Sequence, residues 1–188
     1  VNRKKFIDTD DISGVDNVFG YTFELAGKYK GVMFQGEYKE HNVNMIEGVD
    51  ASFKGYYAQA AILLKGGHHN YNTAEGEFTR ITPGSDKGDI ELALRYDFVD
   101  LNDFNAGIYG GSAEGYTAGL NFYINPNIKF AANYTYHNHD RFANGKGKLY
   151  VGHDSSGNLT KDWSLVTENN GDAGDDYGQF SVRFEVNF

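Results

Sequence analysis

The 188-residue sequence contains no cysteine and only 2 prolines. The absence of cysteine excludes a disulfide framework and any thiolate metal or redox site. No apolar run approaches the roughly 20 residues that a membrane-spanning helix needs, which excludes a helical membrane protein. The chain opens at Val1 without an initiator Met or an apolar leader, so we expect a mature protein or an internal fragment.

Glycine and aromatic residues are abundant by contrast, with 24 glycines and 15% aromatic residues. This mixture favours an all-β protein whose turns are made by Gly, Asn and Asp. The chain is polar on average, but the strands of a membrane β-barrel are apolar at only every second position. Average hydropathy therefore leaves a β-barrel membrane protein open.

The C-terminal stretch GQFSVRFEVNF, residues 178–188, has the most regular pattern in the chain. Every second residue from Phe180 to Phe188 is large and apolar, and polar residues stand between them, which predicts a strand with one apolar face. The same period predicts strands at 19–29, 32–39, 56–65, 90–98, 116–124 and 128–139. Arg3 to Ile7 is a possible tail of an eighth strand. Leu63 breaks the pattern, because it falls on the polar side of its strand.

The connections predict an antiparallel transmembrane β-barrel, formed by residues 1–188 as one domain. Tight turns are expected at Lys30 and Gly31 and at 125–127, whereas the segments 8–17, 40–51, 99–113 and 140–176 are expected to be long external loops. Counting strand directions places the tight turns, and also the link 66–87, on the opposite, periplasmic side. The length of this link has no explanation in the pattern.

Strand parity separates the predicted pore-lining residues from the predicted lipid-facing residues. The pore-lining set is Glu24, Lys28, Glu37, Lys39, Glu91, Arg95, Asp97, Lys129, Arg183 and Glu185, and parity also adds Lys65. The lipid-facing set is Phe130, Tyr134, Phe180, Phe184 and Phe188. Aromatic rings near strand ends and small residues at mid-strand favour a membrane barrel over a soluble β-sandwich, whose core is packed without voids.

Several segments together resemble the phosphate-selective porin O/P family. They are FQGEY (34–38), GYYAQAAILLKG (55–66), ELALRYDFVDLND (91–103), GGSAEGYTAGLNFYINPNIKFAANY (110–134) and the terminal RFEVNF. The resemblance implies a water-filled, usually trimeric outer-membrane channel of about sixteen strands for small anions such as phosphate. This chain would form its C-terminal half. The terminal aromatic is similar to the signature that the barrel-assembly machinery of Gram-negative bacteria reads.

The charges depart from that family pattern. The net charge is −9, no cluster of Arg or Lys is visible, and the acidic and basic residues of the predicted pore-lining set nearly balance. Phosphate selectivity is therefore implied by the resemblance alone. The acidic excess lies in the predicted loops, where solvated side chains are favoured over divalent cations shared with lipopolysaccharide.

Other motifs predict no cofactor, no metal site and no nucleic-acid partner. The segment from Asp8 to Gly14 fails the spacing of a calcium loop, and the pairs His68 and His69 or His137 and His139 have no further ligand fixed nearby. An enzyme built on His153 with Ser155 or Ser156 lacks a rigid scaffold.

Three hypotheses of function follow. The first is an outer-membrane porin that lets small hydrophilic solutes diffuse passively. The second is a small eight-stranded outer-membrane barrel with a structural or binding role, and the third is a soluble β-sandwich that binds a ligand through loop 140–176.

Overall fold

Seven long strands form one antiparallel sheet, in chain order, in the computed structural model of the protein, which describes residues 5–169 and 172–187. The elements are β1 (Val15–Tyr29), β2 (Val32–Met45), β3 (Ala51–Leu63), β4 (Tyr71–Asn72), β5 (Glu77–Phe78), β6 (Asp89–Asp103), β7 (Ile108–Asn125), β8 (Ile128–His139), β9 (Gly152–His153), β10 (Leu159–Thr160), a 3₁₀ turn (Trp163–Leu165) and β11 (Tyr177–Val186). In the described ranges no helix has the length and apolarity to cross a membrane.

The all-β, antiparallel prediction is confirmed. The order of the large sheet is β1-β2-β3-β6-β7-β8-β11, so β1 and β11 lie at its two edges and are not paired with each other in the described part of the chain. β4 pairs with β5, and β9 with β10, in separate small sheets. Residues 5–7 are not in a strand, while Arg3 and Phe188 lie outside the described residues.

The two tight turns lie at one end of the sheet, here called the short-turn end. Lys30 adopts a positive φ of 51° and Gly31 follows it directly, so β1 and β2 are joined with no further residue. Residues 126 and 127 alone join β7 to β8, so this turn also has two residues. The long link between β3 and β6 lies at this end too, since Arg80 donates a hydrogen bond to the Asn127 side chain at 2.6 Å. The link therefore lies at the end of the sheet that strand parity predicts.

At the opposite end the predicted loop bounds are wrong. β2 continues to Met45 and β3 begins at Ala51, which leaves 46–50 in place of 40–51. β6 and β7 leave only 104–107 in place of 99–113, and β1 starts inside the predicted loop 8–17. We call this end of the sheet the long-loop end.

These strand extensions were missed because their polarity is reversed. Val43, Ala51 and Phe53 lie on the side that is polar elsewhere in the sheet, and they form a small buried cluster there. Ile12, from the segment before β1, packs against this cluster. The segment before β1 therefore covers this part of the polar face. Where it lies, the apolar residues of the strands point to the polar face instead of the apolar face.

Loop 140–176 is folded rather than extended. Val151, Val166 and Ala173 form a buried cluster against which Trp163 packs. Arg141 donates hydrogen bonds to the carbonyl oxygens of Val166 and Glu168. The loop therefore has a small core of its own above the sheet.

Candidate functional site: the polar face of the sheet

All ten residues of the predicted pore-lining set share one face, here called the polar face. Directly opposed residues of neighbouring strands lie on the same side of a sheet. The register opposes Glu24 to Glu37, Lys39 to Gly55, Asp97 to Tyr57, and Lys129 to both Tyr123 and Glu185. Parity along each strand assigns the remaining members to this face.

Basic side chains of the polar face lie beside carboxylates. Lys39 Nζ lies 3.1 Å from Glu37 Oε1, and Arg95 Nε lies 3.7 Å from Asp97 Oδ2. Glu185 Oε2 lies 3.5 Å from Lys129 Nζ and also 3.8 Å from Arg183 Nη1. These four basic groups are therefore ion-paired rather than isolated positive charges.

A row of amides and hydroxyls crosses the middle of the polar face. Arg95 donates to Gln59 Oε1 at 3.0 Å, and Gln59 donates to Gln35 Oε1 at 3.4 Å. The hydroxyls of Thr117 and Thr135 are 2.9 Å apart. Across β2, β3, β6, β7 and β8 this row carries one guanidinium among uncharged hydrogen-bonding groups.

The link of residues 64–88 packs onto the polar face at the short-turn end. Lys28 donates from Nζ to the carbonyl oxygen of His69 at 2.6 Å, so this predicted pore-lining residue holds the link. Ile81 of the link and Leu63 and Met33 of the sheet are buried. Packing of the link onto the sheet therefore explains why the link is long. It also explains why the apolar Leu63 is buried although it lies on the polar face. Lys65 lies beyond the end of β3, and its ammonium is 5.8 Å from the centroid of Phe122 on the other face, which corrects its predicted inward position.

The side chain of Asp89 anchors the link by binding backbone N–H groups of the link. Its carboxylate is fully buried and accepts hydrogen bonds from the N–H groups of Lys65 at 2.8 Å, Gly67 at 3.0 Å and Gly84 at 2.9 Å. One side chain thereby joins both ends of the link to the start of β6. Such charge-assisted bonds are roughly twice as strong as bonds between neutral groups.

His69 and Glu91 form a buried pair under the link. His69 Nε2 lies 3.6 Å from Glu91 Oε2, and Nε2 has no hydrogen-bond partner. Burial lowers the pKa of His69, and the nearby carboxylate of Glu91 opposes that shift without cancelling it. Asn121 donates to Glu91 at 2.6 Å, which holds this carboxylate on the polar face.

The segment before β1 covers the polar face at the long-loop end. The Phe6 ring stacks on His139 with centroids 4.7 Å apart and contacts Tyr177 at 5.7 Å. Asp8 lies 3.4 Å from Lys146 and 3.0 Å from Lys5, so its carboxylate is engaged by lysines. The link and the segment before β1 therefore cover the two ends of the polar face, and the row of amides and hydroxyls lies between these covered ends.

The opposite face, here called the apolar face, is exposed. Phe130 and Phe184 contact each other with centroids 4.6 Å apart, and with Tyr134 and Phe180 they are 45–70% exposed. In the described part of the chain no second sheet covers them, although a soluble β-sandwich would require one. The Phe34 ring covers Gly27 closely, and a Cβ at position 27 would collide with it.

Tyrosines line the apolar face toward its long-loop end. Tyr21 and Tyr38 donate hydrogen bonds to Glu40 at 2.6 and 2.5 Å, and Tyr116 donates to Glu114 at 2.6 Å. Rings with an apolar body and a hydroxyl directed toward charged groups are typical of a membrane interface.

The other candidate residues of the sequence make structural contacts. His139 stacks with Tyr177, and His137 contacts the same ring in a tilted geometry. His153 donates its backbone N–H to Glu168 and contacts the same carboxylate through its ring, and these bonds lower the pKa of Glu168 to about 2. These contacts join the parts of loop 140–176 and the rim of the sheet.

Sequence reasoning missed the residues that fold the link inward. Asp89 and His69 are central to it, yet the partners of Asp89 are backbone N–H groups that no residue pattern reveals. Leu63 was the available signal, because an apolar residue on a polar face requires a cover.

An exposed apolar face with tyrosines toward one end, backed by a charged face that the link and the segment before β1 cover at its two ends, is typical of the amphipathic walls of porins. The family model for phosphate-selective porin O and P matches residues 2–156, and the chain belongs to this family. β11 lies beyond the matched residues.

Two curated relatives are similar over about half of the chain. Porin O of Pseudomonas aeruginosa is 29% identical over 106 residues, which are 52% of this chain and 24% of that protein. An uncharacterized protein of Caulobacter vibrioides is 33% identical over 92 residues, which are 46% of this chain and 18% of that protein. The matches therefore cover a quarter or less of each relative.

Proposed function

We propose that this chain forms part of the wall of an outer-membrane porin through which small hydrophilic solutes diffuse passively. The observation that carries the proposal is the division of one sheet into an exposed apolar face and a polar face lined with hydrogen-bonding groups. In hydrocarbon, backbone groups must be satisfied within a sheet, and the apolar face supplies the contact with lipid. The predicted pore-lining and lipid-facing residues take these roles in the proposal.

Family membership supports the wider setting of this proposal. We place the protein in the outer membrane of a Gram-negative bacterium, in contact with lipid and lipopolysaccharide, as a homotrimer inserted by the barrel-assembly machinery through the C-terminal strand. Small anions such as phosphate belong to the solutes that the family description suggests. The basic groups of the polar face are ion-paired, so a preference for anions rests on family membership and not on this wall.

Single-channel recording from the full-length protein in planar bilayers tests the proposal. We expect stepwise, ohmic conductance in simple salt and passage of small uncharged solutes into liposomes. A protein that inserts into the bilayer but stays electrically silent would favour the small closed barrel. A protein that remains in solution without detergent would favour the sandwich.

A further inference from the structure

A cavity of about 470 Å³ lies between the link 64–88 and the polar face. Its volume falls in the range of about 300–1,000 Å³ that is typical of small-molecule sites. Both of its walls belong to this chain: the link contributes His69, Phe78, Thr79 and Ile81, and the sheet contributes residues of β2, β3, β6, β7 and β8.

The lining of this cavity combines neutral hydrogen-bonding groups with apolar surface. Gln59, Thr117 and Asn133 contribute amides and a hydroxyl from the sheet, and Thr79 contributes a hydroxyl from the link. Ala61, Ala93 and Gly119 leave space beside the ring of Phe78. A solute with hydroxyls along its edge and C–H groups on its face matches both kinds of surface.

The charges around the cavity are compensated. Arg95 lies beside Asp97 and donates to Gln59, and Lys129 lies beside Glu185. Glu91 brings a carboxylate into the lining, which opposes an anion at the same place. An anionic solute would therefore meet no cationic clamp in this lining.

His69 is a buried member of this lining. Its Nε2 faces Glu91 Oε2 at 3.6 Å and has almost no accessible surface, so a solute in the cavity does not reach it. The polar groups that a solute meets are therefore those of Gln59, Thr117, Asn133 and Thr79.

We propose that this cavity is a binding site for a neutral, hydroxyl-rich solute of about monosaccharide size, passing along the porin wall. The inference rests on the proposed porin function and adds a solute class that the family description does not contain. Asn133 and Thr117 bond the hydroxyls from the sheet, Thr79 bonds one from the link, and the Phe78 ring borders the apolar face of the solute.

The test measures block of the ion current by glucose, with inorganic phosphate as the anionic comparison. For the full-length protein in planar bilayers, we expect saturable block by glucose, whereas any block by phosphate at matched ionic strength should not depend on the residues of this cavity. Asn133→Leu removes an amide from the lining and should weaken glucose block roughly two- to tenfold, as for one or two lost hydrogen bonds. Ala93→Leu should fill the cavity and abolish block.

The matched control is Gln179→Leu, which removes an amide from the same face of β11 outside the cavity lining. It should leave glucose block unchanged. Block by phosphate alone, or a conducting channel that glucose does not affect, would overturn the inference while the porin proposal stands.

Glucose binding to the detergent-solubilised protein, followed by saturation-transfer NMR, separates the two proposals. Binding without conductance would uphold the site and reject the porin. Conductance without glucose binding would reject the site alone, and absence of both would reject both proposals.

Discussion

At the scale of single residues, Asp89 and His69 decide where the link 64–88 lies. Asp89 accepts backbone N–H groups from both ends of the link, and His69 is buried beside Glu91. Asp89 belongs to no recognisable motif, and the adjacent His68 and His69 suggested only metal ligation. Their roles depend on groups that are brought together only when the sheet forms, so sequence reasoning had no access to them.

Replacing Asp89 with Asn should loosen the link. An Asn side chain keeps one acceptor oxygen but turns an N–H₂ group toward backbone donors, so at least one buried donor loses its partner. Each such loss costs about 1–3 kcal/mol. Limited proteolysis of the folded protein should then cut residues 64–88 faster.

Asp86→Asn is the control, because Asp86 is an exposed acid in the same link. It should be cut at the wild-type rate. Equal protection of the Asp89→Asn protein would show that the carboxylate does not hold the link.

Acidification should loosen the same link through His69. Burial lowers the pKa of His69 below its usual value of 6.5, so the folded state binds this proton less readily than the unfolded link does. The resulting stability is fully present above pH 6.5 and is lost as the pH falls through the lowered value. Glu91, Asp89 and Lys28 are the charged groups around the ring, and the two carboxylates moderate the effect.

Hydrogen exchange can measure this dependence. The amides of His68 and Thr82 bond across the link at 2.9 Å, and their protection factors should fall below pH 6.5. His69→Gln should remove that dependence, whereas the exposed His68→Gln should retain it. A pH dependence that persists in His69→Gln would assign it to another group.

At the scale of elements, the two-residue period predicted the seven strands and both tight turns. It failed at 40–45 and 99–103, where the strands continue with reversed polarity. Val43 and Leu101 lie there on the side that is polar elsewhere, against the segment before β1. If the apolar residues are assumed to lie on the same face along a whole strand, such an extension is interpreted as a loop.

Shortening the link should widen the path along the polar face. Replacing residues 71–78, which contain the β4–β5 hairpin, with two glycines removes Phe78 from the cavity while Asp89 keeps its partners at Lys65, Gly67 and Gly84. Single-channel conductance of the full-length variant should rise. An unchanged conductance would place the narrowest point elsewhere.

At the scale of the whole molecule, the faces of the sheet make a prediction about solvent contact. A nitroxide attached at Phe184→Cys should be accessible to oxygen dissolved in lipid. The same label at Ser181→Cys, on the polar face of the same strand, should be accessible to a water-soluble nickel chelate.

These measurements require the full-length protein in lipid vesicles, with any other cysteine replaced. Equal nickel accessibility at both positions would contradict the assignment of the apolar face to lipid. Protection of both labels from oxygen and from the nickel chelate would indicate that a protein layer covers the apolar face.

The close cover of Gly27 by the Phe34 ring has a consequence for homologous sequences. A methyl group at position 27 would displace the Phe34 ring, and loss of the ring would leave the backbone of Gly27 without a covering side chain. Selection should therefore act on the two positions jointly. In an alignment of relatives, a residue larger than glycine in the first column should be accompanied by a smaller side chain in the second, a correlated substitution that genome sequences alone can reveal.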